Sequence, residues 1–213
     1  MARETRPEAR IRALAKQSRI GASDAARLLA AVKTTPVPPE RRFDPFTRLN
    51  AVTGMLIGIG ASIGAAVVSR LGVRFDGLLD VHTASAVTWR QALVDQVAAY
   101  LVPAAIFWVL GYALARRGRV VDLLSTVGVA RVPPIVFALP LALLGSGTSS
   151  APHLSIGGWL LVGLVLLGSA AQIYLLVIGF KTATGLAGPR LVFGVAFAMI
   201  LSEIASKVVI SLV

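Results

Sequence analysis

Five stretches of mostly apolar residues, four of them long, dominate this chain after residue 48. They cover about residues 49–69, 96–115, 132–144, 154–180 and 191–213. A run of about 20 apolar residues matches the roughly 30 Å thickness of a bilayer's hydrocarbon core. Because unpaired backbone groups are costly in hydrocarbon, such runs must fold as helices that satisfy their own hydrogen bonds. The sequence therefore predicts an all-α polytopic membrane protein, a bundle of about five transmembrane helices.

The composition supports the same fold class. Of the 213 residues, 56% are hydrophobic, whereas ordinary soluble domains have roughly 45–50% apolar residues. The formal net charge is +11, and over half of the surplus lies in residues 1–48. A basic segment next to a membrane span is explained by cytoplasmic retention and attraction to anionic lipid, so we expect no nucleic-acid partner. The absence of cysteine excludes disulfides and thiolate metal sites.

Residues 1–42 predict a separate cytoplasmic basic arm. Apolar residues at helical spacing on both sides of Gly21 predict two short amphipathic helices in a hairpin. Residues 18–29, SRIGASDAARLL, resemble the two-helix SHOCT-like segments of bacterial membrane proteins, and a solvated hairpin without its own partner is the alternative. The prolines of residues 34–39 favour an extended linker. We expect a second domain at residues 43–213 and a protein partner recruited through the arm.

The first span contains four glycines, Gly54, Gly58, Gly60 and Gly64. They form two pairs at four-residue spacing, a pattern that lets the backbones of two helices approach closely in lipid. Packing within the chain is the default prediction, and homodimerisation is the alternative. Membrane lipids and a second copy of the chain are therefore expected partners.

The third apolar stretch is short and contains Pro133, Pro134 and Pro140. Residues 120–128 before it form an apolar stripe that predicts a short interfacial helix. Two solutions stay open. Either this helix dips into the bilayer and lengthens the span, or the span is bent and its neighbours satisfy its freed carbonyls.

The basic residues between spans predict the orientation, because cytoplasmic loops carry an excess of Lys and Arg. With the arm inside, the later inner loops hold six basic residues and the outer loops three. They are Arg116, Arg117, Arg119, Arg131, Lys181 and Arg190 inside, and Arg70, Arg74 and Arg90 outside. We expect a multi-pass protein of the cell (inner) membrane with a cytoplasmic N-terminus and an outside C-terminus. Arg116, Arg117 and Arg119 are expected to face lipid headgroups.

Glu203 and Lys207 form an acid–base pair within the last apolar stretch. Four residues apart, they share one face of a helix, and charges at that depth must be paired or hydrated. The favoured interpretation is a neutralised pair that fixes helix packing. A proton or ion relay, which would make the protein a transport or channel component, is the alternative.

No sequence motif indicates an enzyme active site. A metal site at His82 or His153 would need Asp76 or Asp80 to converge on these histidines. No P-loop, GxSxG elbow or HExxH motif is present. We expect no catalytic residue, no metal and no cofactor, with a lipid-modifying enzyme at the membrane interface as the rival hypothesis.

Residues 122–133, DLLSTVGVARVP, resemble the centre of the Yip (Ypt-interacting-protein) family. The segments IGFKTATGLAG at 178–188 and EIASK at 203–207 are similar to the last loop and last helix of bacterial Yip-domain proteins. The resemblance covers about residues 43–213. It implies five spans, a cytoplasmic N-terminus and a non-enzymatic scaffold or organiser that acts by helix packing, oligomerisation and recruitment of partners or lipids. The DLYGP-like motif of eukaryotic relatives is missing, the nearest stretch being FDPF at 43–46, so GTPase binding is not implied.

Overall fold

The computed structural model describes residues 6–17, 19–34, 44–84, 87–145 and 156–212. The chain divides into two compact units, Met1–Phe43 and Asp44–Val213. In the first unit, α1 (Arg6–Lys16) and α2 (Ala22–Thr34) pack against each other. The predicted proline-rich linker and His153 lie outside the described residues.

The second unit is a helical bundle with one small β-hairpin. Its helices are α3 (Ala51–Ser69), α4 (Trp89–Ala115), α5 (Val120–Ala130), α6 (Val132–Gly145), α7 (Ile156–Thr184) and α8 (Gly188–Ser211). A 3₁₀ helix, Pro45–Thr47, precedes α3, and strands β1 (Val73–Arg74) and β2 (His82–Thr83) follow it.

Five segments of this unit are long and apolar enough to cross a membrane. They are α3, α4, the pair α5 and α6 together, α7 and α8. The predicted all-α, five-span fold class is therefore confirmed. The spans alternate in direction, which gives the bundle two ends. We name them the loop end, which carries the α3–α4 loop of residues 70–84, and the Asp44 end, which carries Asp44, residues 116–119 and residues 181–187.

The second span starts at Trp89, earlier than the predicted start near residue 96. Thr88 begins the helix with a capping box, in which its hydroxyl accepts a hydrogen bond from the Gln91 N–H at 3.2 Å. Such a reciprocal cap satisfies backbone donors that the first turn would otherwise leave free. The polar residues of the first two turns thus belong to the helix and not to a loop.

The interfacial position predicted for residues 120–128 is wrong. Leu123 and Val127 of α5 are fully buried, and α5 packs against α3, α4 and α7. Together α5 and α6 form one span, Val120–Leu143, of 24 residues. The short third stretch is therefore lengthened by the helix before it. Pro133 and Pro134 lie in the first turn of α6, where a helix needs no N–H donor.

The apolar core lies where α4, α5, α7 and α8 meet. Phe107 and Phe180 are fully buried there, with ring centroids 5.4 Å apart in an edge-on contact. Outward-facing apolar side chains are well exposed, for example Leu160 at 66% and Phe193 at 74%. A surface of this kind suits contact with lipid, whereas soluble monomers rarely expose large contiguous apolar patches.

Candidate functional site

The α3–α4 loop folds back into the loop end of the bundle. Its strands β1 and β2 pair in antiparallel fashion, and residues 75–81 between them turn toward the helices. Phe75 and Leu78 are each only 3% exposed. Because a buried backbone must find hydrogen-bond partners other than bulk water, the helices have to supply them.

Two glutamines inside the spans hold the backbone of this loop. The Gln96 side-chain amide on α4 donates to the Phe75 carbonyl at 3.3 Å. The Gln172 amide on α7 donates to the Leu78 carbonyl at 2.6 Å. Both glutamines are nearly fully buried, where each hydrogen bond contributes most and each missing one costs most.

Glu203 on α8 holds the same loop from a third side. Its Oε2 accepts a hydrogen bond from the Leu79 N–H at 3.1 Å. A β-carbon on Gly77 would lie 2.6 Å from Oε2 of Glu203, so a larger residue there would displace the Glu203 carboxylate. Lys207 Nζ lies 3.7 Å from Oε1 of Glu203 and donates to Asp80 of the loop. The structure thus brings the predicted pair together and adds a loop carboxylate to it.

Asp80 is the centre of a charged cluster on the loop. Its Oδ1 lies 3.2 Å from Nδ1 of His82, and Oδ1 of Asp76 lies 3.8 Å from the same nitrogen. Partial burial raises the pKa of Asp80, but hydrogen bonds from Lys207 and His82 outweigh it, and the pKa is lowered overall. Asp80 is therefore a carboxylate at neutral pH.

The donor atoms of Asp76, Asp80 and His82 all lie within 4.8 Å of one another. The convergence of Asp76 and Asp80 on His82 that a metal site would require is therefore present. The Lys207 ammonium already neutralises one of these carboxylates. The expectation that the protein uses no metal stays a prediction.

Arg74 forms a bidentate ion pair between the loop and α4. Its Nε and Nη2 donate to the two oxygens of Asp95 on α4, at 2.7 and 3.1 Å. This bidentate geometry is the favourable one for a guanidinium and a carboxylate. The hydrogen bond to Asp95 raises the pKa of Arg74. Asp95 is 1% exposed, so the pair neutralises a buried charge.

Arg131 is the largest departure from the sequence prediction. The sequence places Arg131 in a cytoplasmic loop. In the structure it lies between α5 and α6 and is only 3% exposed. Nη1 donates to the Ala99 carbonyl at 2.8 Å, and Nη2 donates to Gln96. Beside it is a cavity of about 10 Å³ that Gln172 and Asp80 also line, about the volume of one water probe. The guanidinium is therefore part of the core.

The four predicted glycines divide into two pairs. A β-carbon on Gly54 would lie 2.9 Å from Cβ of Ser125 on α5, and one on Gly58 would collide with Cα of Gly128 on the same helix. Around Gly60 and Gly64 no such neighbour lies within 4 Å. Gly54 and Gly58 therefore form the contact between α3 and α5, and Gly60 and Gly64 face away from it.

The Asp44 end carries the predicted lipid-facing arginines. Arg116, Arg117 and Arg119 are all exposed. Arg116 closes α4 in the left-handed conformation, with φ 51°, and stacks on the Tyr112 ring at 5.4 Å. Arg119 pairs with Asp122 at 3.0 Å, and this hydrogen bond raises the pKa of Arg119.

A cavity of about 140 Å³ opens at the same end, lined in part by Phe46, Asp122 and Thr182. Asp44 fixes its edge, because its carboxylate accepts from the Phe46 N–H at 2.9 Å and from the Thr182 hydroxyl at 3.2 Å. Comparison of the chain with protein-family models, curated proteins and solved structures finds no match.

Proposed function

We propose that this protein is a non-enzymatic scaffold of the Yip type in the inner membrane of a bacterial cell. The proposal rests on the hydrogen-bond partners of the buried polar side chains. Gln96, Gln172 and Glu203 come from three spans, and each bonds to the backbone of one loop. Buried polar groups whose hydrogen bonds are satisfied within the bundle stabilise one rigid arrangement of helices.

A conduit is the alternative, and it needs a polar path beside Glu203 and Lys207. The cavity at the polar core has a volume of about 10 Å³, which is too small for a solute. Lys207 is half-exposed and bonded to Asp80. These features favour a structural role for the pair.

A lipid-modifying enzyme needs a nucleophile or base in a cavity at one interface. The cavity at the Asp44 end contains Asp122, which is already paired with Arg119. His82 lies at the other end of the bundle, where it lines a separate cavity of about 280 Å³ whose walls are otherwise mostly apolar. This separation supports the non-enzymatic proposal.

The proposed orientation has the Asp44 end in the cytoplasm and the loop end outside. Among the described residues of the second unit, the Asp44 end carries six basic residues against two acids, and the loop end carries four against four. An excess of positive charge is typical of cytoplasmic ends. The arm of residues 1–42 then faces the cytoplasm, where we propose that it recruits a protein partner.

The variant Glu203→Gln with Lys207→Met tests scaffold against conduit. The amide that replaces the Glu203 carboxylate retains an acceptor for the Leu79 N–H, so the scaffold proposal expects unchanged cross-linked assemblies and unchanged solute flux in proteoliposomes. Loss of flux with an intact bundle would establish the conduit instead. Affinity purification with and without residues 1–42 then tests recruitment, because an identical set of partners from both forms would exclude a role for the arm.

A further inference from the structure

A groove runs between α7 and α8. Helix α8 packs chiefly against α4, and α7 packs chiefly against α5 and α6, so the two helices leave a space of about 540 Å³ between them. The side chains that line most of it are apolar. They include Ile173 and Val177 from α7, and Val192, Ala196, Met199 and Ile200 from α8.

This groove lies at the depth of the hydrocarbon, because both of its walls belong to membrane-spanning segments. From Val192 to Ile204 it extends about 18 Å along α8, at 1.5 Å per residue. One leaflet contributes about 15 Å of hydrocarbon thickness. An acyl chain from one leaflet therefore matches the groove in length and in polarity.

The two ends of the groove differ. Leu79 and Glu203 line it at the loop end. At the Asp44 end, Lys181 follows Ile173 and Val177 at four-residue spacing, so the three share one face of α7. Lys181 is exposed and belongs to the end with the surplus of basic residues. A negatively charged headgroup is therefore favoured at the Asp44 end and disfavoured beside Glu203.

We infer that this groove binds one anionic phospholipid, with an acyl chain along α7 and α8 and its phosphate at Lys181. The site is independent of the proposed scaffold role, since it requires no partner of the arm.

The test uses the full chain in nanodiscs of equal parts phosphatidylglycerol and phosphatidylcholine. Native mass spectrometry of the protein released from them counts the lipids that each chain retains. Wild type is expected to retain one phosphatidylglycerol. Ala196→Trp fills the groove and is expected to abolish retention. Ala105→Trp, at an exposed position of α4, is the matched control and is expected to retain the lipid.

The headgroup contact is tested in the same experiment. Lys181→Gln is expected to weaken retention of phosphatidylglycerol about fivefold, the effect of one basic group near an anionic headgroup. Arg117→Gln, at the same end, is the control and is expected to change it less than about twofold. Equal retention of both lipids by wild type, equal retention by the two tryptophan variants, or a free fatty acid in place of the phospholipid would overturn the inference.

A second measurement does not depend on any variant that might misfold. Phosphatidylglycerol with a photoreactive acyl chain is cross-linked to the wild-type chain, and the modified peptides are identified. Cross-links are expected on α7 around Val177 and on α8 around Ala196. Cross-links spread evenly over the outward faces of all five spans would contradict a defined site.

Discussion

The close contact between α3 and α5 gives a quantitative prediction for Gly58→Ala. A β-carbon at Gly58 would collide with Cα of Gly128 on α5, and it would lie 2.9 Å from the hydroxyl oxygen of Tyr100 on α4. Carbon atoms pack best at about 3.5–4.0 Å, so the two helices must separate by about 1 Å. Overpacking of this kind costs about 1–3 kcal/mol.

Gly60→Ala is the matched control on the same helix. No neighbouring atom lies within 4 Å of a β-carbon there, and alanine stabilises a helix by about 0.5–1 kcal/mol relative to glycine. This gain is common to both variants, so their free energies of unfolding should differ by the overpacking cost of about 1–3 kcal/mol, with Gly58→Ala the less stable. Equilibrium unfolding in mixed micelles with increasing SDS measures this difference. Equal stability of the two variants would refute the proposed contact between α3 and α5.

Two further predictions concern the polar groups at the loop end. Gln96→Leu removes an acceptor from the buried Arg131 guanidinium and should lower the free energy of unfolding by about 1–3 kcal/mol; a change below about 0.5 kcal/mol in the same SDS titration would contradict the role given to Gln96. Asp80 has a lowered pKa in the folded state, so its contribution to stability is present above its ordinary pKa of 3.8 and is lost as the pH falls through the folded value. The stability difference between wild type and Asp80→Asn should therefore shrink as the pH is lowered from about 5 toward 3. If this difference stays constant over that range, the contact between Asp80 and Lys207 is not the source of the stabilisation.

The number of spans follows from the length of the apolar stretches, because hydrocarbon forces each of them into a helix. The residues at which the spans begin and end are predicted less accurately. Asp95 and Arg131 lie outside the predicted spans, and Gln96 lies at the predicted edge of one, yet all three are buried. Asp95 is neutralised by Arg74, which lies 21 residues earlier in the chain. No local pattern reveals a partner at that separation.

The two glycine pairs of α3 are a second case in which the sequence pattern does not predict the contact. Gly54 and Gly58 face α5, whereas Gly60 and Gly64 face away from it. Both pairs have the same four-residue spacing, so the pattern marks a surface where a helix is able to approach. Which surface is used depends on the position of α5, and that position is set by the tertiary fold.

The acid–base pair in α8 was predictable from its spacing, because residues four apart share a helix face. The contact of this pair with the α3–α4 loop was not predictable from the sequence. Asp80 lies 127 residues before Lys207, and it reaches Lys207 only because residues 75–81 fold back into the bundle. The convergence of Asp76, Asp80 and His82 has the same origin.

Thiol labelling tests the five-span fold and its orientation most directly, since the chain contains no cysteine. Thr83→Cys, Arg117→Cys and Gly60→Cys place a thiol at the loop end, at the Asp44 end and on the outward face of a span. With a membrane-impermeant maleimide, Thr83→Cys should react in intact cells, Arg117→Cys only after permeabilisation, and Gly60→Cys only after denaturation. Rapid labelling at Gly60→Cys in intact membranes, or labelling of both ends from the same side, would contradict a five-span body with its Asp44 end in the cytoplasm.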